Sequence, residues 1–88
     1  MEKNWVITEN KIDDFGISFE ILLNGIFWDK SLIEIEEHFT GKWAATSYWS
    51  EENSNGVTLL FGHKIEAENY AKKEIEEHRK YWTNRLLN

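Results

Sequence analysis

Asn24-Gly25 stands between "ISFEILL" and "IFWDKSL". An Asn-Gly pair takes up positive φ at both positions more cheaply than other dipeptides. Flanked by apolar alternation, it marks a two-residue β-hairpin. That turn pairs Leu23 with Ile26, Ile21 with Trp28 and Phe19 with Lys30. One face then carries Ile17, Phe19, Ile21, Leu23, Ile26, Trp28 and Leu32, and the other Ser18, Glu20, Leu22, Phe27 and Asp29. The first set is the expected core face, and a slip of one residue would bury the polar set instead.

The C-terminal third has a different period. From about Lys64 to Leu86, Ala67, Ala71, Ile75, His78, Trp82 and Leu86 recur at steps of three and four, the stripe of a one-faced helix. The chain has no proline to interrupt it. At 1.5 Å per residue this helix is ~30 Å long, enough to cross a small sheet.

Between hairpin and helix, "SLIEIEEHFTGKW" admits two readings. Ser31 with Glu34 resembles a capping box, and Leu32, Ile35 and Phe39 keep helical spacing. Ile33-Glu34-Ile35-Glu36 instead alternates as a half-buried strand does. The strand is preferred and the short helix kept as the alternative. A three-residue loop around Thr40-Gly41 leads into "KWAATSYWS" and puts Ile33, Ile35, Trp43, Ala45 and Trp49 on one face. Residues 50–56 form a polar loop, "VTLLFG" is a strand, and "NWVIT" is a candidate edge strand. The expectation is a single α+β domain over residues 1–88. It has an antiparallel sheet of four strands, five with the N-terminal one, and one long C-terminal helix on one face. Phe19, Ile21, Trp28, Ile75 and Trp82 are the predicted core.

The pentapeptide "EIEEH" occurs at 34–38 and again at 74–78. Its flanks share no spacing, so the recurrence is read as chance in a Glu-rich chain. A di-iron carboxylate site needs Glu-x-x-His, and Ile35 and Ile75 occupy the required Glu positions. His-Glu-x-x-His, a glycine-rich phosphate loop and Gly-x-Ser-x-Gly are all missing, and there is no cysteine. No metal, cofactor or catalytic residue is assigned, and the expectation is a protein that is not an enzyme. With no long apolar run and no leader-like start, a cytoplasmic protein without a membrane span is expected.

Charge divides the chain. Residues 1–41 hold three Lys and nine Asp/Glu, a net of −6; residues 42–88 hold seven Lys/Arg and seven Glu, a net of 0. Concentrated acid disfavours contact with a phosphate backbone and favours a basic partner.

The stretch from Lys42 to His78 resembles the sheet-plus-helix module of arm-type DNA-binding domains in tyrosine recombinases, with Trp43, Phe61, Glu66 and Ala67 at matching places. Its strand-to-helix ending is also similar to HicB-like antitoxin domains. The resemblance implies nucleic-acid contact by the sheet. The strands "AATSYWS" and "VTLLFG" carry no Arg or Lys to reach phosphates, so the shape transfers and the function does not. In type, a small acidic aromatic-rich chain also resembles the anti-CRISPR inhibitors of phages and mobile elements.

The expected function is therefore a non-enzymatic module, inhibitor or adaptor, docking a basic surface of a nucleic-acid-binding partner protein. The candidate partner-binding residues are Asp13, Asp14, Glu20, Asp29, Glu34, Glu36, Glu37 and Tyr48, aromatic groups supplying anchors. The alternatives are a nucleotide-binding protein that stacks bases on Trp and a nucleic-acid-binding or antitoxin-like module. The oligomeric state is left open, a homodimer included.

Overall fold

A computed structural model describes residues 2–48 and 56–88. In chain order the elements are β1 (Trp5–Ile7), β2 (Lys11–Asp13), β3 (Gly16–Leu23), β4 (Ile26–Glu37), β5 (Trp43–Tyr48), β6 (Val57–Phe61) and α1 (Lys64–Leu86). The strands make one antiparallel sheet in the order β1-β3-β4-β5-β6, with β2 paired to the other half of the β3 edge. The helix packs on one face, as expected for an α+β chain. β2 was not anticipated, because three exposed residues carry no alternation to read.

Asn24 (φ 53°) and Gly25 (φ 81°) form the expected hairpin turn, and Leu23 pairs with Ile26. The Asn24 side chain also accepts a hydrogen bond from Asn4 N at 2.8 Å, and Asn24 N donates to Asn4 O at 2.8 Å, so the turn anchors β1. The pairing then departs from the simple hairpin. Leu22 faces Phe27, but Ile21 faces Asp29, Phe19 faces Ser31 and Ile17 faces Ile33. One extra residue, Trp28, is accommodated in a β-bulge.

The bulge reverses the phase of β4. Before it, Ile26 and Trp28 lie on the helix side; after it, Ser31, Ile33 and Ile35 do. Leu32, expected in the core, consequently lies on the opposite, open face, where it pairs with Ser18 and Tyr48. Ser31 and Ile33 are fully buried in the position Leu32 was expected to share. Ile26 is exposed at the hairpin tip, and Trp28 keeps 40% of its surface accessible, which corrects its place among the buried residues. It lies edge-on to Trp5 (4.9 Å) and to Trp82 (5.7 Å), closing one end of the core.

β4 runs as a strand through the ambiguous segment, so the short helix is excluded. His38 N donates to Lys42 O at 2.7 Å, Gly41 takes φ 85°, and the three-residue loop Phe39-Thr40-Gly41 sets Ile35 opposite Ala45 and Ile33 opposite Ser47. Trp43 shares their face and is half-buried; Trp49 and most of the polar loop lie outside the described residues.

α1 begins where Glu66 Oε1 accepts from His63 N at 3.1 Å, the carboxylate half of a capping box. Ala67, Ala71, Ile75, His78 and Trp82 are all buried, and with Ile17, Phe19, Ile21, Ile33 and Ala45 they make up most of the core. The alanines let the helix backbone approach the sheet. Two hydrogen bonds are enclosed there: Trp82 Nε1 donates to Ser31 Oγ at 3.2 Å, and His78 Nε2 shares a hydrogen bond with Ser47 Oγ at 2.8 Å. Burial without pairing would cost about 1–3 kcal/mol for each group.

The helix starts beside β6, where Tyr70 meets Phe61 at 5.5 Å, and ends beside Trp5 and Trp28. It therefore crosses the sheet diagonally. Arg79 fixes its flank to the β1–β2 link: Nη2 donates to Thr8 O and Asn10 Oδ1, both at 2.7 Å, with the guanidinium 4.6 Å from the Phe19 ring.

Candidate functional site: an acidic end of the sheet tipped by phenylalanine

The link from β2 to β3 turns through Asp14-Phe15. Asp13 Oδ1 accepts from Phe15 N at 2.8 Å, an Asx turn that holds the corner. Gly16 follows at φ 145°, and a Cβ there would lie 1.9 Å from the Ile33 carbonyl oxygen. Only glycine permits so close an approach to β4. The approach is completed by Ile35 N donating to Phe15 O at 2.8 Å. The corner carrying Asp13 and Asp14 is thereby fastened beside Glu34, Glu36 and Glu37 on the last part of β4.

Five of the eight predicted site residues thus come together at one end of the sheet. They do not share one face. Gly16 pairs with Glu34 and Glu36 with Ala44, which puts Glu34 and Glu36 on the open face; Glu37 pairs with Trp43 on the helix side. Together with Asp13 and Asp14 they wrap around the end. Lys42, in the loop after β4, and Lys64 and Lys72 on α1 are nearby cations and Glu68 a further acid, so six carboxylates against three ammonium groups leave −3. Lys64 Nζ stands 5.2 Å from the centre of the Trp43 ring.

Two aromatic side chains project from this end. Phe15 in the β2–β3 turn is 74% exposed, and Phe39 at the tip of the β4–β5 loop is 93% exposed. The His38 ring lies 4.3 Å from that of Phe39, with its Nδ1 2.7 Å from Thr40 Oγ1. These contacts brace the loop while leaving the Phe39 ring in solvent. Neither phenylalanine was among the predicted site residues. In the sequence Phe39 stands out only in the helical spacing with Leu32 and Ile35, and "DDFG" lies outside the expected elements. The available signal was a large apolar residue at each of two glycine-bearing turns, "DFG" and "FTG".

Because α1 crosses diagonally, the corner over β2 is uncovered. A cleft of about 140 Å³ opens there, with Ile12, Ile17 and Ile35 along it and Lys64, Glu68 and Lys72 on the helix wall. It adjoins the acidic end and is large enough for one side chain of a partner.

The remaining three predicted residues lie elsewhere. Glu20 and Tyr48 are on the open face nearer its middle and far end; Tyr48 pairs with Leu32 and packs against Gly56, where an added Cβ would lie 3.0 Å from its ring. Asp29 sits at the bulge, its Oδ1 accepting from Lys30 N at 2.7 Å.

The second EIEEH is helical. Its Glu74 Oε1 is 3.6 Å from His78 Nε2, and burial pushes the His78 imidazole down to about 4. The first lies on β4 and its loop. Among the described residues no cluster of three or more His, Asp or Glu is arranged to hold a metal ion, and no helix is long and apolar enough to cross a membrane. Comparison with protein-family models, with curated proteins and with solved structures gives no match to this chain.

Proposed function

We propose that this chain is a non-enzymatic protein-binding module whose acidic end docks a basic surface of a partner protein, of the kind proteins present to nucleic acid. The observation that carries the reading is the exposure of Phe15 and Phe39 at two turns enclosed by Asp13, Asp14, Glu34, Glu36 and Glu37. Exposed aromatics ringed by charge are what a docking site requires. The rings bury apolar area and act as anchors, and the carboxylates steer encounter and select a cationic partner. Glu34 and Glu36 point to one side about 7 Å apart along the strand, a spacing on the scale of neighbouring phosphates in a nucleic-acid strand. Occupation of a basic groove by this end would exclude nucleic acid from it, the action of an inhibitor; an adaptor would use the same contact to recruit.

The two halves of the site have separable kinetics. Glu34→Lys with Glu36→Lys should slow association, and more so at low salt, because exposed charge acts before contact. Phe15→Ala with Phe39→Ala should instead speed dissociation, an anchor being worth about 2 kcal/mol or more, roughly a thirtyfold loss of affinity. The partner is captured with tagged protein from the source cells, and surface plasmon resonance at two salt concentrations then reads both rates. All four substitutions fall on exposed or half-exposed positions, so thermal midpoints should stay near wild type. Unchanged rates in both double variants would refute the assignment of this end.

A further inference from the structure

β6 closes one side of the sheet, and its outer edge has no strand partner among the described residues. The opposite side is shielded in the ways edge strands normally are. It is split into two three-residue strands, it carries Lys11 and Asp13, and Arg79 holds down the link between them. Among the described residues β6 has none of these protections. Its sequence, Val57-Thr58-Leu59-Leu60-Phe61, holds no charge and no proline, and Val57, Leu59 and Leu60 are 54, 42 and 44% exposed. An apolar, uncharged edge presents a row of backbone donors and acceptors ready for another strand.

We infer that the occupant is the β6 edge of a second copy of this chain, joined antiparallel to make a sheet continuous across two subunits. Charge selects this occupant. The whole chain carries −6, so most of its surface repels a second copy. Around β6 the net repulsion falls away: residues 42–88 balance to 0, β5 and β6 carry no Asp, Glu, Lys or Arg, and Glu66, whose carboxylate accepts from His63 N just beyond β6, shares the start of α1 with Lys64. The nearest sheet carboxylates, Glu34, Glu36 and Glu37, stand on β4. At ~4.8 Å per strand, the β4 strands of two joined copies would be about 24 Å apart, beyond the ~8 Å over which charges act at physiological salt. A basic partner, by contrast, would find no net counter-charge on this half of the chain.

The side chains are also self-complementary. Pairing centred on Leu59 sets Leu59 against its own copy, Val57 against Phe61 and Thr58 against Leu60, as a two-fold contact requires. Val57, Leu59 and Phe61 lie on the helix side, so six apolar side chains would line the seam between the two helices. Five strand residues per copy are few beside the roughly 20–30 of a standard interface, so the association is weak, with a dissociation constant of roughly 10–100 µM. The acidic end stays free, and the inference does not depend on the proposed function.

Sedimentation equilibrium from about 5 to about 500 µM, a span bracketing that constant, tests it at physiological salt. The average mass should rise from 10.5 kDa towards twice that value. Leu59→Lys and, separately, Val57→Lys should hold the mass at 10.5 kDa while keeping the wild-type circular dichroism spectrum. Hydrogen exchange of the unaltered protein reads the same contact without a substitution: amides of residues 57–61 should exchange more slowly at the high concentration than at the low one. A mass of 10.5 kDa throughout, or exchange over residues 57–61 that does not vary with concentration, overturns the inference. Folded lysine variants that associate like wild type overturn it as well.

Discussion

Acid should unfold this protein through His78. Its ring is fully buried between α1 and β5, with Nε2 2.8 Å from Ser47 Oγ. The Glu74 carboxylate at 3.6 Å would favour the imidazolium, yet loss of solvation outweighs it and sets the folded value at about 4 against an ordinary 6.5. The sign follows from proton counting. Between pH 6.5 and 4 the unfolded chain binds a proton at this residue that the folded chain does not. Stability is therefore fully present above pH 6.5 and is lost as pH falls towards 4. A displacement from 6.5 to about 4 corresponds to about 3 kcal/mol. A domain of this length holds roughly 4–13 kcal/mol in total, so the loss is a large share. Carboxylates also titrate near the lower limit, and a His78→Gln variant separates them, since glutamine keeps a polar partner for Ser47 without ionising. Urea unfolding followed by tryptophan fluorescence from pH 7.5 to 4.5 should show wild type losing about 2–3 kcal/mol more than the variant. Parallel pH profiles would refute the reasoning and place a charged or solvated imidazole in the folded state.

Trp82→Ala should cost about 3–5 kcal/mol in chemical denaturation, whereas Trp28→Ala, with 40% of its surface already in solvent, should cost clearly less. Gly16→Ala should cost at least ~3 kcal/mol, combining a forced positive φ with a collision against the Ile33 carbonyl. Gly25→Ala, where no atom lies within 4 Å of an added Cβ, should cost only the ~1 kcal/mol of left-handed strain. Arg79→Ala removes two hydrogen bonds to residues 8 and 10 and should lower stability by about 1–3 kcal/mol, with hydrogen exchange rising first over residues 5–10.

The parts of the fold legible in the sequence are those where one residue type has few alternatives. Asn24-Gly25 dictated its turn, and the 67-71-75-78-82-86 stripe could serve only as one face of a helix. The two faces read for β4 looked incompatible, since Ile26 and Trp28 cannot share a side with Ile33 and Ile35 on a regular strand. The bulge at Trp28 reconciles them, and no local residue preference announces it, because it is set by how Trp28 packs against Trp5 and Trp82. β2 was missed because its three residues are all exposed and show no alternation, although its pairing with β3 across Asp14-Phe15 is local. A tertiary contact, Gly16 lying against β4, decides which acids meet. Asp13 and Asp14 are some twenty residues from Glu34 in sequence, and it takes the Gly16–Glu34 pairing and the Phe15–Ile35 hydrogen bond to show them to be neighbours. Glu20, Asp29 and Tyr48 were grouped with them by charge or ring alone, and the register sends them elsewhere.

Carboxyl footprinting of the captured complex tests the docking assignment most directly, because carbodiimide coupling labels each accessible Asp and Glu and mass spectrometry reads them residue by residue. The account predicts that the partner protects Asp13, Asp14, Glu34, Glu36 and Glu37, while Glu76 and Glu77 on the exposed side of α1 label as in the free protein. Protection confined to the helix carboxylates, with the five acids at the end of the sheet labelled as before, would contradict it.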